Sequence, residues 1–342
     1  MKILEILRLR LLMVLGIDPF KFLSLQFSMK ELPPHKLLGE FQPPVELSVP
    51  RLFSQIPLTI YVPKRLIIEV SDVRVSGAAG HLYHGDSLIS ESTSWSPAVA
   101  LLAKDSKKSQ CDILPGTFLI LGEAPYYHFL VENFALILSL LDELPEATVL
   151  APESKSRYLS DALQLLPPKT RVRRYERPVA LERVVLATRY ETLGRPQPRE
   201  IESLINLGER RRGLKSTSKD RSLMIYVSRS KSKRSIADER GLESHLKTLG
   251  FQIVFAEEMS VGDQIDLFGR CKVVVGPHGA GLTNIVFAPS GALVVEILDP
   301  RYPNHCFEIL ANTCKHDFRR ILVDQDDKGF AEIAAKIERM LA

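Results

Sequence analysis

The sequence lacks the features that most quickly classify a chain. It has four cysteines in 342 residues, Cys111, Cys271, Cys306 and Cys314. That is too few for a disulfide framework to organise a chain of this length, and a reducing cytoplasm fits best. Neither sign of charge dominates: 45 Lys and Arg stand against 41 Asp and Glu, a net +4, so composition gives no reason to expect a nucleic acid partner. The apolar N-terminal stretch at 3–16 contains Glu5, Arg8 and Arg10; it is too short and too charged for a spanning helix, which needs about 20 apolar residues. It also lacks a small-residue cleavage site, so no signal peptide is expected. A helix lying in a membrane surface, with the arginines at the head groups, and a helix packed on its own domain or a partner both stay open for residues 1–16. There is no internal repeat, no low-complexity tract, no Walker A loop and no GxGxxG fingerprint.

What is present is an ordinary globular composition, 45% apolar and 25% charged, over a length that favours two domains. Seven prolines between 30 and 65 forbid long helices there and predict extended segments and turns. Short apolar runs at 66–70, 117–121, 148–151 and 184–187 then predict buried strands, with helical stretches between several of them. This alternation is the signature of a layered α/β domain with a parallel sheet. Residues 210–221, rich in Arg and Lys among Ser, Thr and Gly, read as a solvated basic linker. Beyond it a second series is expected, with strands at 222–227, 251–255, 272–275, 292–298 and near 320–323. Its helices are expected at 238–249, 260–269, from about 282, and at 304–313 and 329–341. The predicted organisation is an N-terminal helix and Pro-rich region (1–50), an α/β domain (51–209), the linker (210–221) and a second Rossmann-like domain (222–342), the two α/β halves facing a cleft.

Three segments carry chemistry. At 275–284 the sequence Val-Gly-Pro-His-Gly-Ala-Gly-Leu-Thr-Asn follows a Val-rich strand and opens a helix. Glycines there let a backbone approach a ligand, and a helix start offers N–H groups to phosphate. Gly276, His278, Gly279, Ala280 and Gly281 are therefore candidate ligand contacts, with Thr283 and Asn284 as further donors; a tight structural turn is the alternative. Ser228 and Arg229 end a predicted strand, with Arg234 following, and an arginine fork suits phosphate. In the first half, His128 and Glu132 lie four apart on an apolar helix and can act as a pair, or simply satisfy each other. Glu296, near a strand end, is a candidate for ribose hydroxyls. Cys306, Cys314 and His316 lack metal-ligand spacing, and Asp324-Gln325-Asp326 reads as a solvated loop, so no metal site is expected.

Taken in order, the His-Phe-Leu-x-Glu block at 128–132, Tyr-Val-Ser-Arg at 226–229 with Arg234 and Asp238-Glu239, and Gly-Pro-His-Gly-Ala-Gly-Leu-Thr-Asn at 276–284 resemble glycosyltransferase family 61. So does the tail Glu296, Pro300, His305, Cys306, Phe307, Ala311, His316. The resemblance covers about 115–318, and its most specific part is 276–284. It implies a GT-B fold, with two Rossmann-like domains facing a central cleft and the sugar nucleotide held mainly by the second. It also implies inverting transfer without an obligatory metal or other cofactor, from a nucleoside-diphosphate sugar (UDP favoured) to a glycan, in surface polysaccharide synthesis at the cytoplasmic side of a membrane. On that pattern Arg229 and the 278–281 loop, with Arg234 nearby, hold the diphosphate. Thr283 and Asn284 orient it, and Glu296 or Glu258 meets ribose or base. Glu132 or His128 stands near the acceptor as the base. The family often has Asn-Glu where this chain has Asp238-Glu239, so that contact differs here. A non-catalytic sugar-nucleotide or glycan-binding scaffold is the alternative reading, and an α/β enzyme of another class such as an epimerase is disfavoured by the missing GxGxxG.

Overall fold

A computed structural model describes residues 35–42, 45–51, 54–62, 65–85, 87–89, 113–187, 197–215, 221–232, 235–301, 304–323 and 329–341. Residues 1–16, Cys111, Arg234 and the 324–326 acidic motif lie outside them.

The first series builds an eight-stranded sheet in the order β6-β5-β4-β10-β7-β8-β9, with β1 also paired to β4. Its members are β1 (His35–Gln42), β4 (Arg65–Ser76), β5 (His81–His84), β6 (Ser87–Leu88), β7 (Ile113–Ile120), β8 (Thr148–Pro152), β9 (Arg171–Tyr175) and β10 (Val179–Ala187). Two further strands of the Pro-rich region, β2 (Val45–Arg51) and β3 (Ser54–Val62), pair only with each other. Strands β10, β7, β8 and β9 run parallel, as the alternation of strands and helices predicts. The other half of the sheet is antiparallel, so the sheet is mixed rather than parallel throughout. The reversal falls between β10 and β4, which pair antiparallel; β4 then turns into β5 through a hairpin that uses Gly77 and Gly80 at φ 72° and 71°, a region that glycine enters without steric cost.

Three helices lie against this sheet and the second. Helix α1 begins at Tyr126–His128, runs through Phe129–Phe134 and ends with Ala135–Glu143. Its middle six residues are π-wound: the Ala135 N–H bonds back to the Leu130 carbonyl. Every residue from 129 to 141 is buried, as expected of a helix apolar all round and packed between layers. Helices α2 (Arg157–Gln164) and α3 (Pro198–Lys215) complete the series.

The second series is a five-stranded, wholly parallel sheet in the order β12-β11-β13-β14-β15. Its strands are β11 (Leu223–Val227), β12 (Gln252–Val254), β13 (Cys271–Pro277), β14 (Leu293–Leu298) and β15 (Asp317–Leu322). The helices α4 (Glu239–Thr248), α5 (Val261–Phe268), α6 (Cys306–Thr313) and α7 (Ala331–Leu341), with a 3-10 helix at Ala280–Phe287, alternate with them. The expected loop-to-helix step after the glycines is thus a tighter 3-10 turn. Period-two alternation sorts the strands' side chains onto two faces: Val273 and Val275 join Leu242, Leu246 and Ile337 of α4 and α7, while Val274 joins Ile265 and Phe268 of α5. The α5 face shares one apolar cluster with α1, α2 and α3, so the helices of the first series pack directly on the second.

The expectation of a solvated linker from residue 210 is corrected for its first half. Residues 210–215 are the end of α3. Arg211 grips Asp266 of α5 with Nε at 2.7 Å and Nη2 at 2.8 Å, and Nη1 of Arg212 donates to the Phe287 carbonyl at 3.0 Å. Ile201, Leu204 and Leu207 bury the apolar stripe beneath them, and the arginines reach beyond it to acceptors. Arg211→Ala is therefore expected to lower the unfolding free energy by about 1 kcal/mol in a urea titration, whereas a residue of a solvated linker would stay within about 0.5 kcal/mol of the parent.

Candidate functional site

β11 and β13 are neighbours, yet the chain leaves β11 toward α4 and β12 on one face and enters β13 from α5 on the other. Loops at such a reversal part from each other, and the crevice beyond the carboxyl ends of the strands is where open α/β sheets hold ligands. A cavity of about 500 Å³ lies there, within the range of small-molecule sites. Its floor is made by Val227, Ser228 and Arg229 after β11 and by Pro277, Gly279, Ala280 and Gly281 after β13. Lys231, Ser232, Ala256, Glu257, Met259 and Gln264 add a wall from the same series; Tyr126, Arg157, Tyr158 and Asp161 add one from the first.

Arg229 is held at several points. Its backbone N–H donates to Glu239 Oε1 at 2.6 Å, its Nε to Ser232 Oγ at 3.3 Å, and its Nη1 to the His278 carbonyl. Glu239 is buried at the first turn of α4 and also accepts from the Tyr226 hydroxyl at 3.1 Å. Burial raises its pKa, opposed by those two hydrogen bonds. Ser228 is buried as well and donates to Glu243 Oε1 at 2.5 Å. The glycines are required by proximity: a Cβ at Gly279 would stand 2.8 Å from Arg229 Cζ, one at Gly281 2.7 Å from Val227 Cγ1, and one at Gly276 2.9 Å from the Val227 carbonyl oxygen. The guanidinium thus lies directly over the backbone of the glycine loop.

Residues 126–295 match the family model described as Glycosyltransferase 61. This stretch belongs to glycosyltransferase family 61. Membership of this family supports glycosyltransferase activity, which implies a sugar donor and an acceptor. No curated protein matches it significantly. Every residue lining the cavity falls inside the glycosyltransferase 61 stretch.

Within that stretch Asn284 ties the two series together. Tyr126 donates to its Oδ1 at 2.9 Å, while its Nδ2 donates to Gln264 Oε1 at 2.6 Å and to the Gly281 carbonyl at 3.0 Å. Burial raises the Tyr126 phenol, which keeps it a donor. Asp161 accepts from the Val261 N–H at the start of α5 at 3.0 Å, and Arg157 donates to the Glu258 carbonyl at 3.1 Å.

Burial places several of the expected ligand contacts below the cavity surface. Thr283 and Asn284 are fully buried in the 3-10 turn beneath the loop. Glu296 is likewise fully buried, with His278 Nδ1 at 2.6 Å from one oxygen and Arg320 Nε at 2.8 Å from the other. It shares a face with Val294, inside the layer, and is not among the residues lining the cavity. Glu258 is exposed at the rim, ion-paired to Lys231, and its neighbour Glu257 lines the cavity instead. Arg229, Ser228, Gly279, Ala280 and Gly281 come together at the cavity floor; Gly276 and His278 lie just behind it.

His128 and Glu132 form their expected pair, Nδ1 to Oε1 at 2.9 Å, with the imidazole the more exposed partner at 23% against 8%. They are not in the cavity wall but are linked to its edge by rings. Tyr127 packs edge-on against His128 at 5.4 Å and against Phe307 at 5.6 Å, and Phe307 packs on His278 at 5.0 Å. Two carboxylate–imidazole pairs, one from each series, therefore flank Tyr127 and Phe307. His316 is buried with Nε2 at 2.9 Å from the Ile285 carbonyl, and burial pushes the Cys314 thiol up to about 12.

The cavity residues of the first series carry no motif; Tyr126 lies two residues before the 128–132 block, and Arg157, Tyr158 and Asp161 lie far from it. The glycines make a separable prediction. Gly276→Ala meets a backbone oxygen and should cost about 1–3 kcal/mol of stability. Gly279→Ala meets the end of a side chain and should cost less than about 1 kcal/mol while displacing the Arg229 guanidinium. Chemical denaturation of the two variants compares them.

Proposed function

We propose that this glycosyltransferase moves a sugar from a nucleoside-diphosphate sugar, UDP favoured, to a glycan acceptor with inversion at the anomeric carbon and without a metal ion. In this reading the two α/β series stand as in GT-B enzymes, the second holding the donor. The observation that carries it is the apposition of the Arg229 guanidinium and the glycine loop at the strand-order reversal. Backbone N–H groups at close range, a guanidinium and the Lys231 ammonium together supply what a leaving diphosphate needs, namely fixed donors already aimed at the charge that develops. The rest of the cavity, with Tyr126, Tyr158, Met259 and Gln264, offers flat apolar surface and an amide for a base or sugar.

On the acceptor side the more exposed imidazole of His128 is the base, with Glu132 behind it. The carboxylate takes the Nδ1–H, so Nε2 can accept the proton of the acceptor hydroxyl. The oxygen then forms its bond to the anomeric carbon as the bond from that carbon to the diphosphate oxygen breaks, and the diphosphate departs with the electron pair. His278, fixed by Glu296 beside the loop, lies at the leaving-group end.

The deciding experiment is a thermal-shift panel with UDP, GDP, CMP and ADP in the presence of EDTA. A ligand that binds only the folded chain raises its melting temperature. A selective shift is expected with one nucleoside diphosphate, and Arg229→Ala should weaken its binding by about 30- to 100-fold. No shift with any nucleotide would overturn the reading in favour of a scaffold. Separately, His128→Ala and Glu132→Gln should each lower turnover of the matching nucleotide sugar by about 10²- to 10⁴-fold with nucleotide affinity unchanged; retained turnover in both removes the pair from the chemistry.

A further inference from the structure

Behind the glycine loop runs a line of buried charge. β14 places Glu296 opposite Gly276 of β13 on one side and opposite Arg320 of β15 on the other. Glu296 has His278 Nδ1 at 2.6 Å and accepts from Arg320 Nε at 2.8 Å. Arg320 continues through Nη1 to Glu308 Oε2 at 2.9 Å, and that same oxygen lies 3.1 Å from His305 Nδ1. Nη2 of Arg320 reaches the Asn304 carbonyl at 3.5 Å. The side chain of Glu296 is wholly inaccessible, and His278 and Arg320 are each 14% exposed.

Counted as charges, the line holds two carboxylates and one guanidinium, with an imidazole at each end. A buried charge without compensation is strongly disfavoured, and one imidazolium balances this line. A carboxylate only accepts, so Nδ1 is the His278 nitrogen that carries the proton toward Glu296. Of the two imidazoles, His305 faces Glu308 at the far end and His278 is the one beside the glycine loop; the remaining ionisable groups around His278 are engaged or neutral. Arg229, after β11, already bonds the His278 carbonyl. Cys306 on α6 is held neutral by burial and by the field of Glu296, and Tyr127 on α1 is held neutral by burial.

We propose that Glu296 is a positioning residue: it fixes the His278 ring and supports its positive form, so that a nucleoside diphosphate arriving at the glycine loop draws a proton from solvent onto His278. This rests on the donor reading given under Proposed function. Arg320, itself anchored by Glu308, holds the Glu296 carboxylate in line, and the proton taken up by the protein is released by the buffer. The role differs from the ribose contact that a strand-end carboxylate would otherwise make, because Glu296 does not reach the ligand.

Isothermal titration of the full chain with UDP and with GDP, at pH 8 in two buffers of different ionisation enthalpy, tests it; at that pH the free diphosphate is itself fully ionised. The expected result is that the observed heat depends on the buffer, showing uptake of a fraction of one proton with the nucleotide that binds. Glu296→Gln keeps the shape but not the charge, and should bind about tenfold more weakly with the buffer dependence gone. Glu296→Asp should recover part of it. His278→Gln, at the loop and not deep in the layer, should remove the same proton count, which keeps the test decisive where Glu296→Gln does not fold. Nucleotide binding whose heat is the same in both buffers, or undiminished proton uptake in a folded Glu296→Gln or His278→Gln, overturns the inference and leaves the donor reading standing. Failure of both nucleotides to bind the parent chain overturns the donor reading, and this inference with it.

Discussion

The divergence of the chain on either side of β11 is the constraint on which the site depends. Parallel neighbours need crossovers of one hand. A chain that adds β12 on one side of β11 and β13 on the other must therefore send its connections over opposite faces of the sheet. The carboxyl end between β11 and β13 is left uncovered as a consequence of topology, before any side chain is chosen. What the sequence adds at that point is smallness and charge: glycines that let the loop close to van der Waals contact with Val227, and Arg229 seated across it. The first series then supplies the missing wall through α1 and α2, whose Tyr126, Arg157 and Asp161 all bond to the second series.

Most of this fold was legible from residue patterns. The parallel order of the second series follows from its strand–helix alternation, and the expected element positions agree with the observed ones to within a few residues. The glycine-rich segment was legible as a place of close backbone approach after a Val-rich strand, and Gly279, Ala280 and Gly281 do line the cavity. What was not legible was which way neighbouring side chains turn. Thr283 and Asn284 follow the glycines, and a sequence does not distinguish an α-helical start, which would leave them facing a ligand, from the 3-10 turn that buries them. Glu296 lies deeper than its strand-end position suggested: it is fully buried, on the same face of β14 as Val294. The basic stretch at 210–215 looked solvated by composition, but Ile201, Leu204 and Leu207 continue into it at helical spacing. Arg157, Tyr158 and Asp161 had no signal at all, since they reach the cavity only through the packing of α2 on α5.

Charge in this molecule is arranged in depth. Arg229 and Lys231 face the cavity, where positive charge attracts an anionic ligand. Directly beneath, Glu239, Glu243 and Glu296 are buried carboxylates that hold Arg229, Ser228 and His278 respectively. A carboxylate layer under a phosphate site would repel the ligand if it were solvent-facing and unpaired. Here each buried acid is engaged by donors, from Tyr226, Ser228 and Arg229 around the end of β11 or from His278 and Arg320, so it serves to fix geometry. Rigid donors that need no reorganisation are what an enzyme requires to stabilise a leaving group.

The wide turn in α1 has a consequence of its own. A π-wound segment holds one residue more than α-helical winding would over the same rise, and it sits between the N-terminal residues that meet the second series and the long buried run that anchors the rod. Forcing the same residues into α-helical winding would turn Tyr126 and Tyr127 by about 100° around the axis, away from Asn284 and Phe307, whereas losing the one extra residue together with the wide turn would leave them facing where they do. The π winding of this segment therefore holds the angular registration of one half of the molecule on the other.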